Sequence, residues 1–179
     1  MRIMGIDPGL GITGYGVIEA RNQSVKVLEA GVIRTSLKQG IQQRLSSIHT
    51  EITALIEQHL PEVCVLEELY SHYKHPRTSI LMAHARGVIC VACAQKKIPV
   101  VGYAAKRIKK AITGNGSADK QQVQRMIQHI LNLKELPNPN DVSDALALSI
   151  AHAQIHPALL HGTDAQVKKG GVKRTGGQK

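Results

Sequence analysis

The chain has no phenylalanine and no tryptophan, and its whole aromatic complement is four tyrosines. An extended row of stacking rings is thereby excluded, and the position of each tyrosine carries more weight. The three cysteines, Cys64, Cys90 and Cys93, are odd in number and sit among apolar residues, which argues against a disulfide framework and for a reducing compartment. No stretch approaches the roughly 18 consecutive apolar residues of a membrane span, and the first residues lack a basic segment followed by a continuous apolar one. The expectation is a soluble, cytoplasmic protein. Acidic residues are scarce as well: 13, against 23 lysines and arginines, for a formal net charge of +10. An excess of that size favours polyanionic partners, nucleic acid above all.

What is present fits one domain. A length of 179 residues with 42% hydrophobic content can build a proper core and is short for two. The positive charge is concentrated rather than spread. Between Leu69 and Lys134 the only acid is Asp119, against twelve lysines and arginines. From His161 onward, HGTDAQVKKGGVKRTGGQK has five glycines and no apolar periodicity, the composition of a disordered tail. The expected division is a folded unit over 1–156 and a basic tail over 157–179.

Residues 2–6 form a short apolar run that reads as a buried strand, GITGYGVIEA as a second strand and SVKVLEAGVIRT as a third. Residues 41–59 repeat apolar side chains at Ile41, Leu45, Ile48, Ile52, Leu55 and Ile56, the pattern of an amphipathic helix. PEVCVLEE is a fourth strand, apolar enough to be buried on both faces. A helix over about 78–97, a fifth strand in IPVVGY, a helix over about 118–131 and a last helix over about 141–156 complete an α/β plan with a five-stranded mixed sheet.

Against that plan the few acids fall in telling places. Asp7 ends the first strand, immediately before Pro8 and Gly9, which stop the ladder and let a ligand approach the backbone. Glu67 ends the fourth strand after VCVL. Asp141 and Asp144 open the last helix, about 60° apart around its axis and roughly 4.5 Å along it, so both can point into one space. Glu68 faces the other side of the sheet from Glu67, because side chains alternate along a strand. Carboxylates that meet raise one another's pKa unless cations hold them, and an all-oxygen set selects hard ions such as Mg²⁺ or Mn²⁺. Taken singly, a strand-end aspartate before Pro-Gly is equally a turn former, and Asp141 equally a helix N-cap or first-turn residue.

Together, GIDPGLGITGYGVI, VLEELY, YAAKRIKKAITGNGSADKQQVQRMI and DVSDALALSIAHA resemble the successive motifs of the RuvC-type Holliday-junction resolvases, from Met1 to about His156. The resemblance implies a ribonuclease-H-like fold and a homodimer that makes paired symmetric nicks in a four-way DNA junction during recombination and repair. It implies two Mg²⁺ ions per site, with Mn²⁺ able to substitute, and hydrolysis leaving 5′-phosphate and 3′-hydroxyl ends. Asp7, Glu67, Asp141 and Asp144 fall on the family's catalytic, metal-binding carboxylates. Lys109 and Lys120 match basic residues that contact the DNA backbone, and Tyr70 stands where the family has an aromatic, often phenylalanine, that suits stacking at an opened junction. The helix around Met82 to Ala94 is implied to face the dimer partner, and a RuvA/RuvB branch-migration complex is the implied collaborator.

Other residues carry weaker signals. Ser117 is placed to cap the helix that Lys120 opens, and free amides there bind phosphate. Lys106, Arg107 and Lys110 read equally as a solvated face, and Tyr73 as loop packing. Cys90 and Cys93 form a C-x-x-C in an apolar helix with no second ligand pair nearby. His152 and His156 have ligand spacing but lie too far along their helix from Asp144 to share its ion. His72 and His75 stand in a loop near Glu67. Two other classes compete: GIDPGLGITG also resembles the phosphate hairpin of actin-like ATPases, which need a second domain, and resolvase-like nucleases acting on structured RNA share the first motif.

Overall fold

The computed structural model describes residues 1–21, 24–68 and 76–157. Tyr70, His72, Tyr73, His75 and the basic tail beyond residue 157 lie outside the described residues.

Strands β1 (Arg2–Asp7), β2 (Ile12–Arg21) and β3 (Ser24–Arg34) follow one another as antiparallel neighbours. Helix α1 (Ile41–His59) then leads to β4 (Val63–Glu67), α2 (Pro76–Gln95) and β5 (Val100–Tyr103). Helices α3 (Ala105–Thr113), α4 (Lys120–Ile130) and α5 (Asn140–Ile155) close the order. The sheet runs β3-β2-β1-β4-β5, with β4 parallel to both β1 and β5. This is the five-stranded mixed sheet with flanking helices that the apolar patterning predicts, with an additional helix, α3, over the segment that holds Lys106, Arg107, Lys109 and Lys110.

Alternation sorts the strands' side chains into two cores. Ile3, Ile18, Val63 and Val65 face α3, α4 and α5, whereas Met4, Ile6, Val17, Cys64 and Leu66 face α1 and α2. Helix α1 buries Ile48, Ile52, Leu55 and Ile56 on the second side, each worth on the order of 2 kcal/mol of apolar burial. Helix α5 is nearly surrounded, with eleven buried residues from Val142 to Ala153.

What lets α5 lie so close is a row of glycines. Gly5 pairs with Gly16, and Asp7 pairs with Gly14, across the β1–β2 ladder. A Cβ on Gly5 would stand 2.1 Å from the Ala145 carbonyl oxygen, and one on Gly14 would stand 2.1 Å from that of Asp141. On Gly16 it would meet Leu146 Cδ2 at 2.7 Å. Backbone cannot yield at those distances, so these positions seat the helix directly on the sheet.

Helix α2 is long and apolar without being an unbroken apolar run. Its Arg77–Gln95 stretch reaches a mean hydropathy of 1.2, enough by length and composition to cross a membrane, and only 22% of that window is buried. Ala85, Ile89, Ala92 and Cys93 nevertheless pack into the α1-side core. Ile80 and Val91, at 57% and 50% exposure, leave an apolar face outward. Interrupting polar residues hide the segment from a search for unbroken apolar runs.

Candidate active site

The two parallel strands β1 and β4 end side by side, in Asp7 and Glu67. Asp7 lies on the same face as Ile3 and Gly5, and Glu67 on the same face as Val63 and Val65, so both turn toward α5. Because Gly14 holds the first turn of α5 against β2, Asp141 and Asp144 come to the same end of the sheet. Pro139 occupies the N-cap and Asp141 the first turn, which leaves Asp141's side chain free of a capping duty. Glu68 turns the other way, beside Gly102 and Arg86 on the α2 side.

The electrostatics record this crowding. Burial pushes the Asp7 carboxyl up to about 7, reinforced by Asp144, Glu67 and Asp141, with only Lys120 opposing. Glu67 is raised for the same reasons, burial first and Asp144 second, with Lys109 opposing. Among the described residues neither carboxylate takes a hydrogen bond from a side chain or amide to offset that desolvation. Lys120 Nζ donates to Asp144 Oδ2 at 2.9 Å, the pair being 54% and 39% exposed. In this structure the ammonium is the cation on Asp144. As the side chains stand, no three His, Cys, Asp or Glu among the described residues are close enough together to hold one metal ion.

Lys109 and Lys120 flank these carboxylates. With Ala105, Ile108, Val123, Asp144 and Ala147 they line a cavity of about 180 Å³ between α3, α4 and α5. Lys120 begins α4, but the cap is Asp119 rather than Ser117: its carboxylate accepts from the Gln122 backbone N–H while the Asp119 backbone N–H donates to Gln122 Oε1. That capping box was legible as D-x-x-Q one turn ahead of an apolar pattern.

Several weaker candidates acquire structural partners. Arg107 sits over the Tyr103 ring, 4.9 Å from its centre, so it is more than a solvated residue. The Tyr103 hydroxyl lies 2.8 Å from His152 Nδ1 and 3.1 Å from His156 Nε2, which occupies both histidines away from the carboxylates. Cys93 faces Cys64 in the α1-side core, and all three cysteines are free thiols. A cavity of about 590 Å³ between β3 and α1 is lined by Tyr15, Glu29, Arg34 and Glu51 among others, and lies apart from Asp7, Glu67, Asp141 and Asp144.

Comparison with known proteins gives a consistent result. The family model described as crossover junction endodeoxyribonuclease RuvC matches residues 3–152. A crossover junction endodeoxyribonuclease RuvC of Rhodopirellula baltica is 46% identical over 148 residues, covering 83% of each chain. One from Caldicellulosiruptor saccharolyticus is 41% identical, covering 92% of this chain and 99% of that one. Among solved structures, Thermus thermophilus RuvC superposes with a TM-score of 0.83 at 30% identity, covering 88% of this chain and 96% of that one. The same protein solved in complex with Holliday junction substrate gives the same values. The yeast mitochondrial Holliday junction resolvase Ydc2, at a TM-score of 0.59 and 15% identity, shares the fold.

Proposed function

The chain belongs to the RuvC family of crossover junction endodeoxyribonucleases, and from that premise we propose that it resolves four-way (Holliday) DNA junctions by symmetric nicking of two strands. The observation that carries the reading is the convergence of Asp7, Glu67, Asp141 and Asp144 at one end of the sheet, between Lys109 and Lys120. A spare cluster of acids beside DNA phosphates would only repel them, so these acids need a cation. Family membership favours the junction nuclease over an ATPase or an RNA-directed enzyme.

The site's chemistry fits divalent metal. All four donors are carboxylates, a hard oxygen set that suits Mg²⁺ or Mn²⁺, and Asp7 and Glu67 are raised first by burial and next by neighbouring acids, Asp144 foremost, a charge that a dication would relieve. Asp7, Glu67, Asp141 and Asp144 would hold two Mg²⁺ ions. When bound, such ions supply a hydroxide-like water at neutral pH and charge neutralisation at the phosphate. Loading requires the carboxylates to draw together and Lys120 to leave Asp144.

The chain's own residues do the rest. Lys120, released from Asp144, and Lys109, beside Glu67, turn their ammonium groups onto the phosphodiester and hold it against the carboxylate edge. Asp7 and Glu67, fixed on rigid strand ends, set the approach line. A water oxygen bonds to phosphorus as the bond to the 3′ oxygen breaks; the water gives up a proton to solvent and the departing 3′ oxygen takes one from solvent, leaving a 5′-phosphate and a 3′-hydroxyl that a ligase can seal. Tyr70 adds a ring for a base at the opened crossover.

Two symmetric cuts need two sites. The outward apolar face of α2, with Ile80, Val91 and the uncrowded Gly87, suits a second copy of the chain and makes a homodimer. The folded nuclease domain spans 1–156 and the basic segment 157–179 is an appendage. The enzyme works in the cytoplasm with a RuvA/RuvB branch-migration complex. The deciding experiment compares cleavage of a four-way junction with linear duplex of the same sequence, with and without Mg²⁺. Paired nicks in the junction alone, dependent on Mg²⁺, are expected; equal cutting of duplex, or cutting in chelator, overturns the reading.

A further inference from the structure

The turn that follows Asp7 is held from the side away from α5, and one of the groups holding it has charge to spare. Thr13 Oγ1 donates to the Gly9 carbonyl at 2.7 Å, and the Thr35 amide donates to the Gly11 carbonyl at 3.1 Å. The Thr35 hydroxyl donates to the Leu10 carbonyl and accepts from Arg44 Nε at 2.8 Å. Arg44 comes from the first turns of α1, a few residues past its N-cap at Gly40. Its Nη2 stands 3.8 Å from the place a Cβ on Gly11 would occupy.

An arginine has five N–H donors in a fixed fork. Among the described residues only Nε of Arg44 has an acceptor, and no carboxylate lies within ion-pair distance. The side chain is half-buried, so part of its hydration is already lost. A brace for the turn would need no more than the Nε bond, which a neutral side chain could make. An unpaired, partly desolvated guanidinium over an exposed glycine is instead a seat for an anion, and its fork matches the oxygens of a phosphate.

We propose that Arg44 is a DNA-contact residue. It grips a backbone phosphate on the α1 side of the Asp7 turn, and Thr35 fixes the plane of its guanidinium. Lys109 and Lys120 lie on the α5 side, so cationic side chains would flank the Asp7 strand end from both sides. The nucleic-acid ligand rests on the proposed nuclease function; the anion seat rests on Arg44's own surroundings.

The test measures junction binding by the full chain without divalent ions, across a range of KCl, for the wild type, Arg44→Gln, Arg44→Lys and Thr35→Val. Arg44→Gln should bind roughly five- to twentyfold more weakly at moderate salt, with a salt slope shallower by about one. Arg44→Lys should keep the slope but lose affinity, because an ammonium lacks the fork. Thr35→Val should keep the slope with a few-fold loss. Wild-type slope and affinity in Arg44→Gln would overturn the proposal. If Arg44→Gln does not fold, Arg44→Lys decides: wild-type affinity overturns the proposal and reduced affinity at unchanged slope supports it. The comparison runs equally on linear duplex, so a wild type that fails to prefer four-way junctions would count against the nuclease reading without touching this one.

Discussion

Asp7 and Glu29 are carboxylates of the same sheet, and the fold treats them in opposite ways. Glu29, on β3, accepts from the Tyr15 hydroxyl at 2.9 Å, from Gln58 Nε2 at 3.0 Å and from His59 Nε2 at 2.8 Å. Those hydrogen bonds, Tyr15's first and His59's next, hold its carboxyl below the usual range, and the Tyr15 hydroxyl is pushed up to about 12, by burial first and by the Glu29 contact next. Asp7, on β1, is buried with other acids for neighbours, and burial first and their charge next push its carboxyl up to about 7. Glu29 is surrounded by donors, whereas Asp7 is surrounded by other acids, the setting that suits the cation-binding role proposed above. The sequence marks Asp7 by its place before Pro8 and Gly9, but Glu29's partners show only in three dimensions, because Gln58 and His59 lie 29 and 30 residues further along the chain.

The sharpest way to break this contrast is to neutralise each residue. Asp7→Asn should lower junction cleavage by at least about a hundredfold, since the charge it removes matters most in the transition state. Junction affinity measured in chelator should hold or rise, because a charge facing phosphate is gone. Cleavage near the wild-type rate would return Asp7 to a turn former. Gly14→Ala attacks the same site through its support. A Cβ there collides with the Asp141 carbonyl, so α5 must lift, at a cost of on the order of 2 kcal/mol in stability and tenfold or more in cleavage. Unchanged melting and cutting in that variant would mean the glycine seat does not position Asp141.

Glu29→Ala should show the reverse pattern. Loss of a carboxylate that satisfies three donors should destabilise by about 1–3 kcal/mol, seen in urea unfolding, while cleavage by the folded protein stays within about twofold. Acid titration separates the two residues by sign. Asp7 is raised, so its contribution is present below about 4 and lost as pH rises through about 7; Asp7→Asn should therefore gain stability above pH 7 and lose that gain toward pH 4. Glu29 is lowered, so its stabilisation holds above the ordinary carboxylate range and fades as pH falls. His152, lowered to about 4 by burial and then by His156, adds a loss between about 6.5 and 4, because there the unfolded chain takes up a proton that the folded one does not. The smallest effect is expected from Glu68→Gln, within about twofold of normal cleavage, because that side chain lies beside Arg86 on the α2 side.

Much of the fold was legible from alternation and helical periodicity. The five strands, α1 and the late helices follow directly, because each is local and strongly patterned. The same alternation puts Asp7 and Glu67 on one face and Glu68 on the other. Spacing along the chain carried less about support. Nothing in GIDPGLGITGYGVI announces that Gly5, Gly14 and Gly16 form a seat, because the partner backbone lies more than a hundred residues away. Arg44 was invisible for a similar reason: a lone arginine in an amphipathic helix reads as its solvated face until Thr35 and the Asp7 turn are placed beside it. The outward apolar face of α2 was masked by interspersed polar residues, while the Asp119 box could have been read and Ser117 drew attention from it.

The central claim is that the fold leaves Asp7 unsatisfied so that a divalent cation can satisfy it. Its most direct measurement is the melting temperature of the wild type and of Asp7→Asn, at a pH above 7, as Mg²⁺ is added from chelator to saturation. The account predicts that the wild type melts lower in chelator and rises by several degrees with Mg²⁺, as expected for about 1–2 kcal/mol of binding linkage, while Asp7→Asn starts higher and barely responds. Equal responses to Mg²⁺, or an Asp7→Asn protein that melts well below the wild type in chelator, would contradict it.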